Sequence, residues 1–221
     1  MPKPPKLSKP PRKPHLDSQK LQNPKFHIQS GALKGLRLLW NESSSTRPTK
    51  ALVRKSFFDT LQSEIRGAVF IEGFGGCGSM GIEALSLGAS EAVFCEIDPK
   101  AFRILQTNLA LAQKRHATQK SQNKLKFHAY NADFFTQDFQ GRQGWQDKPI
   151  ILYLDPPFSI REGMGDIYER LIAYVKSLEI FSVSFIVFEH WSEYNMPLQI
   201  GRFTQLKSRR FGKSTLTYYT Y

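Results

Sequence analysis

Three acidic residues stand at or near the ends of hydrophobic runs: Glu72 in "AVFIEGF", Glu96 in "EAVFCEID" and Asp133 in "LKFHAYNAD". Directly after Glu72 comes "GFGGCGSMG", which contains the spacing G-x-G-x-x-G twice, from Gly73 and from Gly76. Glycines at such a turn permit close approach of the backbone to a ligand, and the following helix offers free N–H groups. The loop alone is shared by nicotinamide, flavin and S-adenosylmethionine enzymes. The acids separate these. Glu72 would repel a pyrophosphate but can pair with a cationic amino group, directly or through water. Glu96, 24 residues further on, can accept from both hydroxyls of a ribose, and Asp133 from an adenine amino group. S-adenosylmethionine carries all three partners, and Glu72, Gly73, Phe74, Gly76, Gly78, Glu96, Ile97, Asp133 and Phe134 are its expected neighbours.

A fourth run, "IILYLDPPFSI", ends in an acid, two prolines and an aromatic ring. An exocyclic amine on a nucleobase is a poor nucleophile because its lone pair is delocalised into the ring. Two acceptors aimed at its N–H groups favour the pyramidal geometry in which the lone pair can attack. The Asp155 carboxylate and the Pro156 carbonyl can be those acceptors, while Pro157 has a fixed φ and no N–H and so stiffens the corner. Phe158 offers a ring for the base to stack on, worth roughly 1–3 kcal/mol. Catalysis by such a clamp is positional: it aligns nitrogen, methyl carbon and sulfur. Asp155, Pro156, Pro157 and Phe158 are therefore the expected catalytic residues.

Strand and helix must alternate to position these groups. Strands are predicted over 68–74, 91–98, 125–133, 150–157 and 183–191, with helices between them, including one from Pro99 through "AFRILQTNLALAQ" and one over "DIYERLIAYVKSL". That alternation implies βαβ units and a parallel sheet covered on both faces. The ending differs: "RFTQLKSRRFG" and "STLTYYTY" join at Gly212 with no helix between, as an antiparallel hairpin on the sheet edge. The expected fold is thus α/β, a Rossmann-like doubly wound, mostly parallel seven-stranded sheet of the class I methyltransferase type, ending in an antiparallel hairpin. Upstream, "HIQSGALKGLRLLW" suggests a short basic hairpin or loop. A single helix is predicted through "STRPTKALVRKSFFDTLQSEI", with Leu52, Val53, Phe57, Leu61 and Ile65 on its apolar face. The segment "KRHATQKSQNKLK" reads as a basic connecting loop. These readings divide the chain into a basic, proline-rich extension over 1–25, a basic hairpin and helix element over 26–66, and a methyltransferase domain over 67–221.

The 221 residues carry a net charge of +12, half of it in the first 25 residues, which points to a polyanionic partner. The N-terminal stretch lacks the apolar segment of a signal peptide, no run is long enough to span a bilayer, and two cysteines and five scattered histidines form no disulfide framework or metal signature. A monomer in the reducing cytoplasm, without metal, is expected.

Taken together, "SGALKGLRL", "RPTKALVRKSFFDTL", "GSMGIEALSLGA", "EIDPKA", "NADFF", "LDPPF" and "RRFGKSTLTYYTY" resemble the bacterial small-subunit rRNA guanine-N2 methyltransferases of the RsmD type, over about residues 31–221. The resemblance implies an S-adenosylmethionine-dependent enzyme acting on the N2 amine of a guanine in small-subunit rRNA. It assigns Glu72, Gly76, Gly78, Glu96 and Asp133 to the cofactor and 155–158 to the clamp, and it places Arg47, Pro48, Thr49 and Arg54 near cofactor and RNA. Lys34, Arg37, Arg47, Arg54, Arg161, Arg209, Arg210 and Lys213 are the expected RNA contacts. The sequence departs from the family in having Glu72 for an aspartate, and Gly75 and Cys77 for alanine and serine. DNA amino-methyltransferases share the D-P-P-F tetrad but usually carry a target-recognition domain for which there is no room here. An RNA-binding assembly factor that has lost catalysis would have no need of Asp155, and a nicotinamide enzyme leaves Asp155 and its prolines unexplained.

Overall fold

The computed structural model describes residues 27–40, 48–119, 124–139, 142–157, 165–178 and 183–221, and the side chains of Pro48 and Thr49 lie outside this description. Five parallel strands form the centre: β1 (Val69–Glu72), β2 (Glu91–Cys95), β3 (Phe127–Tyr130), β4 (Ile150–Leu154) and β5 (Val183–Trp191). Beyond β5 lie β6 (Gln199–Ile200), β7 (Phe203–Phe211) and β8 (Ser214–Thr220), giving the order β3-β2-β1-β4-β5-β8-β7-β6. Every residue of β1, β2 and β4 is buried, as expected for strands covered on both faces.

This is the Rossmann-like doubly wound architecture expected, with eight strands in place of seven. The additional strand is β6, whose two residues pair antiparallel with Phe203 and Thr204. So short a strand has no periodicity of its own and exists because β7 presents a free edge. The register aligns Glu72 with Phe94 of β2 and Tyr153 of β4, so the ends of these strands share one rim of the sheet. The chain order reverses between β1 and β4, and a crevice opens beyond their carboxyl ends at such a switch point.

Alternation along each strand splits the core. Val69, Ile71, Leu152 and Leu154 pack with α5 (Ile167–Lys176) on one face. On the other, Phe70, Ile151 and Tyr153 pack with Val53, Phe57 and Phe58 of α1 (Pro48–Thr60). The helix predicted as continuous through Ile65 is broken at Leu61, and a single further turn, α2 (Gln62–Ile65), follows. Leu61 and Ile65 are buried as expected, but Leu52 is 55% exposed: the buried stripe runs through Val53 and Phe57 to Leu61, one position beyond it. Helix α4 (Pro99–Ala117) begins at an Asp98 side chain that accepts from Lys100 N and continues into the stretch read as a loop. Lys114, Arg115 and His116 occupy its last turn, where cations oppose the negative end of the helix dipole.

The N-terminal segment does form a hairpin, closed by a His27–Arg37 bridge and by Ile28 N–H donating to Leu36 O. It buries Ile28, Leu33 and Leu38 against Ile82 and Leu85 of α3 (Ser79–Ser86) and Leu105 of α4. Polar bonds fix its position. Both oxygens of Glu83 accept from Gln29 N at 2.9 Å, Ser30 N donates to Glu83 at 2.7 Å, and the Ser86 hydroxyl accepts from Leu33 N at 2.8 Å. Gly31 makes the approach possible. Its φ is +76°, and a Cβ there would stand 2.0 Å from Ser86 O. Gly31→Ala should therefore lift the hairpin off α3 and lower stability by about 1–3 kcal/mol in denaturant melts.

Candidate active site

The glycine loop owes its shape to bonds from both neighbouring strands. Gly73 N–H donates to Tyr153 O of β4 at 2.9 Å, and Gly75 N–H to Cys95 O of β2 at 2.7 Å. A Cβ on Gly73 would meet the Leu154 side chain at 2.8 Å, whereas Gly76, at φ +51°, has open space above it. Glycine thus gives the loop its depth and leaves room over the turn at Gly76.

Glu72 occupies the floor. Its side chain is buried, and Oε2 accepts from Gly81 N at 2.8 Å, with Met80 N as a second donor. Helix α3 has Gly78 at its N-cap, so it has no capping side chain of its own there, and Glu72 reaches across from β1 to satisfy its first turn. Burial nevertheless dominates and pushes the Glu72 carboxyl up from 4.5 to about 8, with Asp155 and Glu96 adding repulsion and the two N–H donors opposing. Burial likewise raises the Cys77 thiol to about 11, with Glu72 the next contribution, which leaves a protonated sulfur unsuited to nucleophilic work.

Glu96 lies beside the loop with its carboxylate aimed by two donors, Gly76 N at 2.7 Å and Asp98 N at 2.8 Å. Ile97, next to it, is 63% exposed and offers an apolar ledge. Asn131 links the next strand to this corner by donating to Glu96 O and Ile97 O. Asp133, predicted as the last residue of its strand, instead follows three residues after β3, which ends at Tyr130. There it caps the short 3-10 turn Phe134–Thr136 through a bond from Phe135 N. Phe134 is a core residue: it packs beneath Phe74 and against Tyr174 and presents almost no surface.

Asp155 follows β4, the strand hydrogen-bonded beside β1, and so stands at the rim shared with Glu72. Its carboxylate is 15% exposed and meets the Lys50 ammonium of α1 at 3.3 Å. Pro156 is buried and Pro157 exposed. Two residues back, the Tyr153 hydroxyl donates to Glu189 of β5 at 2.6 Å in a buried bond that fastens β4 to β5 under the corner. Neither Lys50 nor Glu189 was singled out from the sequence, although an acid inside the apolar run "VSFIVFEHW" was a legible signal for the second.

The basic residues do not form one cluster. Lys34 and Arg37 are exposed on the hairpin, while Arg209, Arg210 and Lys213 are exposed on β7 and the turn into β8. The hairpin packs over β2, five strand spacings from β7, or on the order of 24 Å. Arg54 is corrected by the structure. It is 4% exposed, donates to His27 O at 2.7 Å and lies 3.7 Å from Glu83, so it braces the hairpin from inside and is no surface contact. Arg47, Phe158 and Arg161 lie outside the described residues.

Among the described residues no helix is long and apolar enough to cross a membrane, and no group of three or more His, Cys, Asp or Glu is placed to hold a metal. Glu72→Gln should separate the structural from the ligand-binding role of this acid. The carboxyl ionises less readily folded than unfolded, so native stability falls as pH rises from 4.5 through about 8. The variant should be more stable than wild type by roughly 1–2 kcal/mol at pH 8 and much closer to it at pH 5, measured by thermal melts at both values.

Residues 26–220 match the profile of a family described as conserved hypothetical protein 95. The ribosomal RNA small subunit methyltransferase D of Haemophilus influenzae is 30% identical over 147 residues, covering 63% of this chain and 69% of that one. Its Escherichia coli K12 namesake is 28% identical over 161 residues, covering 69% and 74%. Among solved structures, YhhF of Escherichia coli is 26% identical and covers 88% of this chain and 97% of its own, at a TM-score of 0.64. The chain belongs to the RsmD-type family of small-subunit rRNA methyltransferases, for which S-adenosylmethionine is the methyl donor.

Proposed function

We propose that this protein methylates the exocyclic N2 amine of a guanine in small-subunit rRNA, in the cytoplasm, with S-adenosylmethionine as donor. The observation that carries the reading is the adjacency of β1 and β4, which sets Asp155 and Pro156 beside the glycine loop at one rim of the sheet.

The residues present suit that donor. Glu72, buried at the floor of the crevice, would favour a cationic amino group bound above it, and the room at Gly76 would let a ligand approach the backbone. Glu96, aimed by Gly76 and Asp98, would take ribose hydroxyls; its two oxygens keep acceptor capacity beyond the one bond each already makes. Ile97 and Asp133 would flank the adenine. Gly73, Gly78 and Phe134 act at one remove, through the turn and its packing. Bound there, S-adenosylmethionine supplies a methyl group on a sulfonium, an electrophile that leaves a neutral thioether behind.

Asp155 and the Pro156 carbonyl would accept the two N–H groups of the amine and favour the pyramidal geometry in which its lone pair can attack. The displaced proton passes to water after transfer, so no strong general base is required. Asp155→Ala should abolish methyl transfer to unmodified small-subunit rRNA while cofactor binding, measured by calorimetry, persists; undiminished turnover would overturn the clamp. Mapping methylated bases in cells with and without the gene identifies the target guanine.

RNA would be held by the exposed cations on either side of the crevice. The exposed Arg210–Glu193 pair, at 2.6 Å, is weakly held, and Arg210 can leave it for a phosphate. Neutralising Lys34, Arg37, Arg209, Arg210 and Lys213 together should weaken RNA binding and flatten its salt dependence by roughly 0.7–0.9 for each phosphate no longer neutralised, with cofactor affinity unchanged.

A further inference from the structure

Lys50 is the third residue of α1, and its ammonium lies 3.3 Å from Oδ2 of Asp155. The lysine side chain is 43% exposed and the aspartate 15%, so the ammonium stands on the solvent side of the carboxylate that receives the amine. The other cation facing the crevice acids from α1, Arg54, is committed to His27 O and Glu83. A nucleobase amine that bonds Asp155 approaches a carboxylate whose Oδ2 Lys50 already engages from the solvent side, so the two donors meet at one acceptor. The nucleotide bearing that base brings a phosphate, which stays outside while the base goes in. A lysine is a compact, hydrated charge on a flexible four-carbon stem, suited to trading one anion for another. So exposed an ion pair is also weakly held.

We propose that Lys50 is a substrate-positioning residue which gives up Asp155 to the incoming amine and passes to the backbone phosphate of the same nucleotide. The exchange keeps a donor on the carboxylate and an anion on the ammonium throughout. It also makes amine entry depend on a phosphate arriving with it, which favours a nucleotide within a strand over a free base. This inference rests on the methyl-transfer reading above.

The test uses the full chain as wild type, Lys50→Met and Lys50→Arg, with unmodified small-subunit rRNA at several salt concentrations. Lys50→Met keeps most of the stem and removes the charge at an exposed position. It should raise KM for rRNA roughly fivefold to tenfold and flatten the dependence of log KM on log salt by about 0.7–0.9, the share of one phosphate. The loss should fall on KM more than on kcat, with the cofactor dissociation constant unchanged, and Lys50→Arg should recover most of it. An unchanged KM and salt slope in Lys50→Met would overturn the exchange. A lowered KM would overturn it as well, since it would mark a lysine that merely obstructs. A wild-type protein that binds the cofactor but leaves the rRNA unmethylated is a different result, and it removes the functional reading together with the inference.

Discussion

A buried carboxylate at the start of a helix governs this molecule. The turn between β1 and α3 is made of glycines, which let it fold tightly but provide no side chain to cap the helix. Glu72 supplies the acceptor from the end of the strand, and in doing so enters the protein interior at the floor of the crevice. The cost of burying that charge appears as its raised pKa, to which the neighbouring Asp155 and Glu96 contribute. One residue therefore joins strand to helix and fixes the electrostatics of the pocket. Its side chain reaches Gly81, the third residue of α3, at 2.8 Å.

The segment before α1 is held by the same helix. Glu83 and Ser86 of α3 fasten the hairpin, and Arg54 braces Glu83 from the side of α1. Asn108 of α4 completes the linkage. Its amide exchanges two 2.8 Å bonds with the backbone of Leu39 and gives a third to Cys77 O in the glycine loop. The N-terminal element is thus tied directly to the loop that shapes the crevice.

The charges divide by depth. Acids converge on the rim between β1, β2 and β4, while exposed cations, among them Lys34 and Arg37 on the hairpin and Arg209 and Arg210 on β7, lie to either side. On the proposed reading, a polyanion drawn to those flanks would meet a crevice that disfavours phosphate and accepts donors.

Much of this was legible in the chain. Strand β5 runs from Val183 to Trp191 as its composition indicates, and the glycine spacing, the strand-end acids and the D-P-P corner locate the crevice, because backbone freedom, period and charge are properties of local sequence. Partnership is not local. Arg54 looks like a surface cation until α1 and α3 come together and bury it, and Phe134 looks like a ligand neighbour until Phe74 and Tyr174 close over it. Leu52 falls on the apolar stripe by spacing but outside it once the axis of α1 is set by Val53 and Phe57 against the sheet. Lys50 and Asp155 are 105 residues apart in sequence, and their meeting depends on α1 crossing the sheet above β4. Residue types and their periods thus determined the elements and the chemistry available. Which groups face one another was decided by long-range packing, through burial and distances that no local pattern encodes.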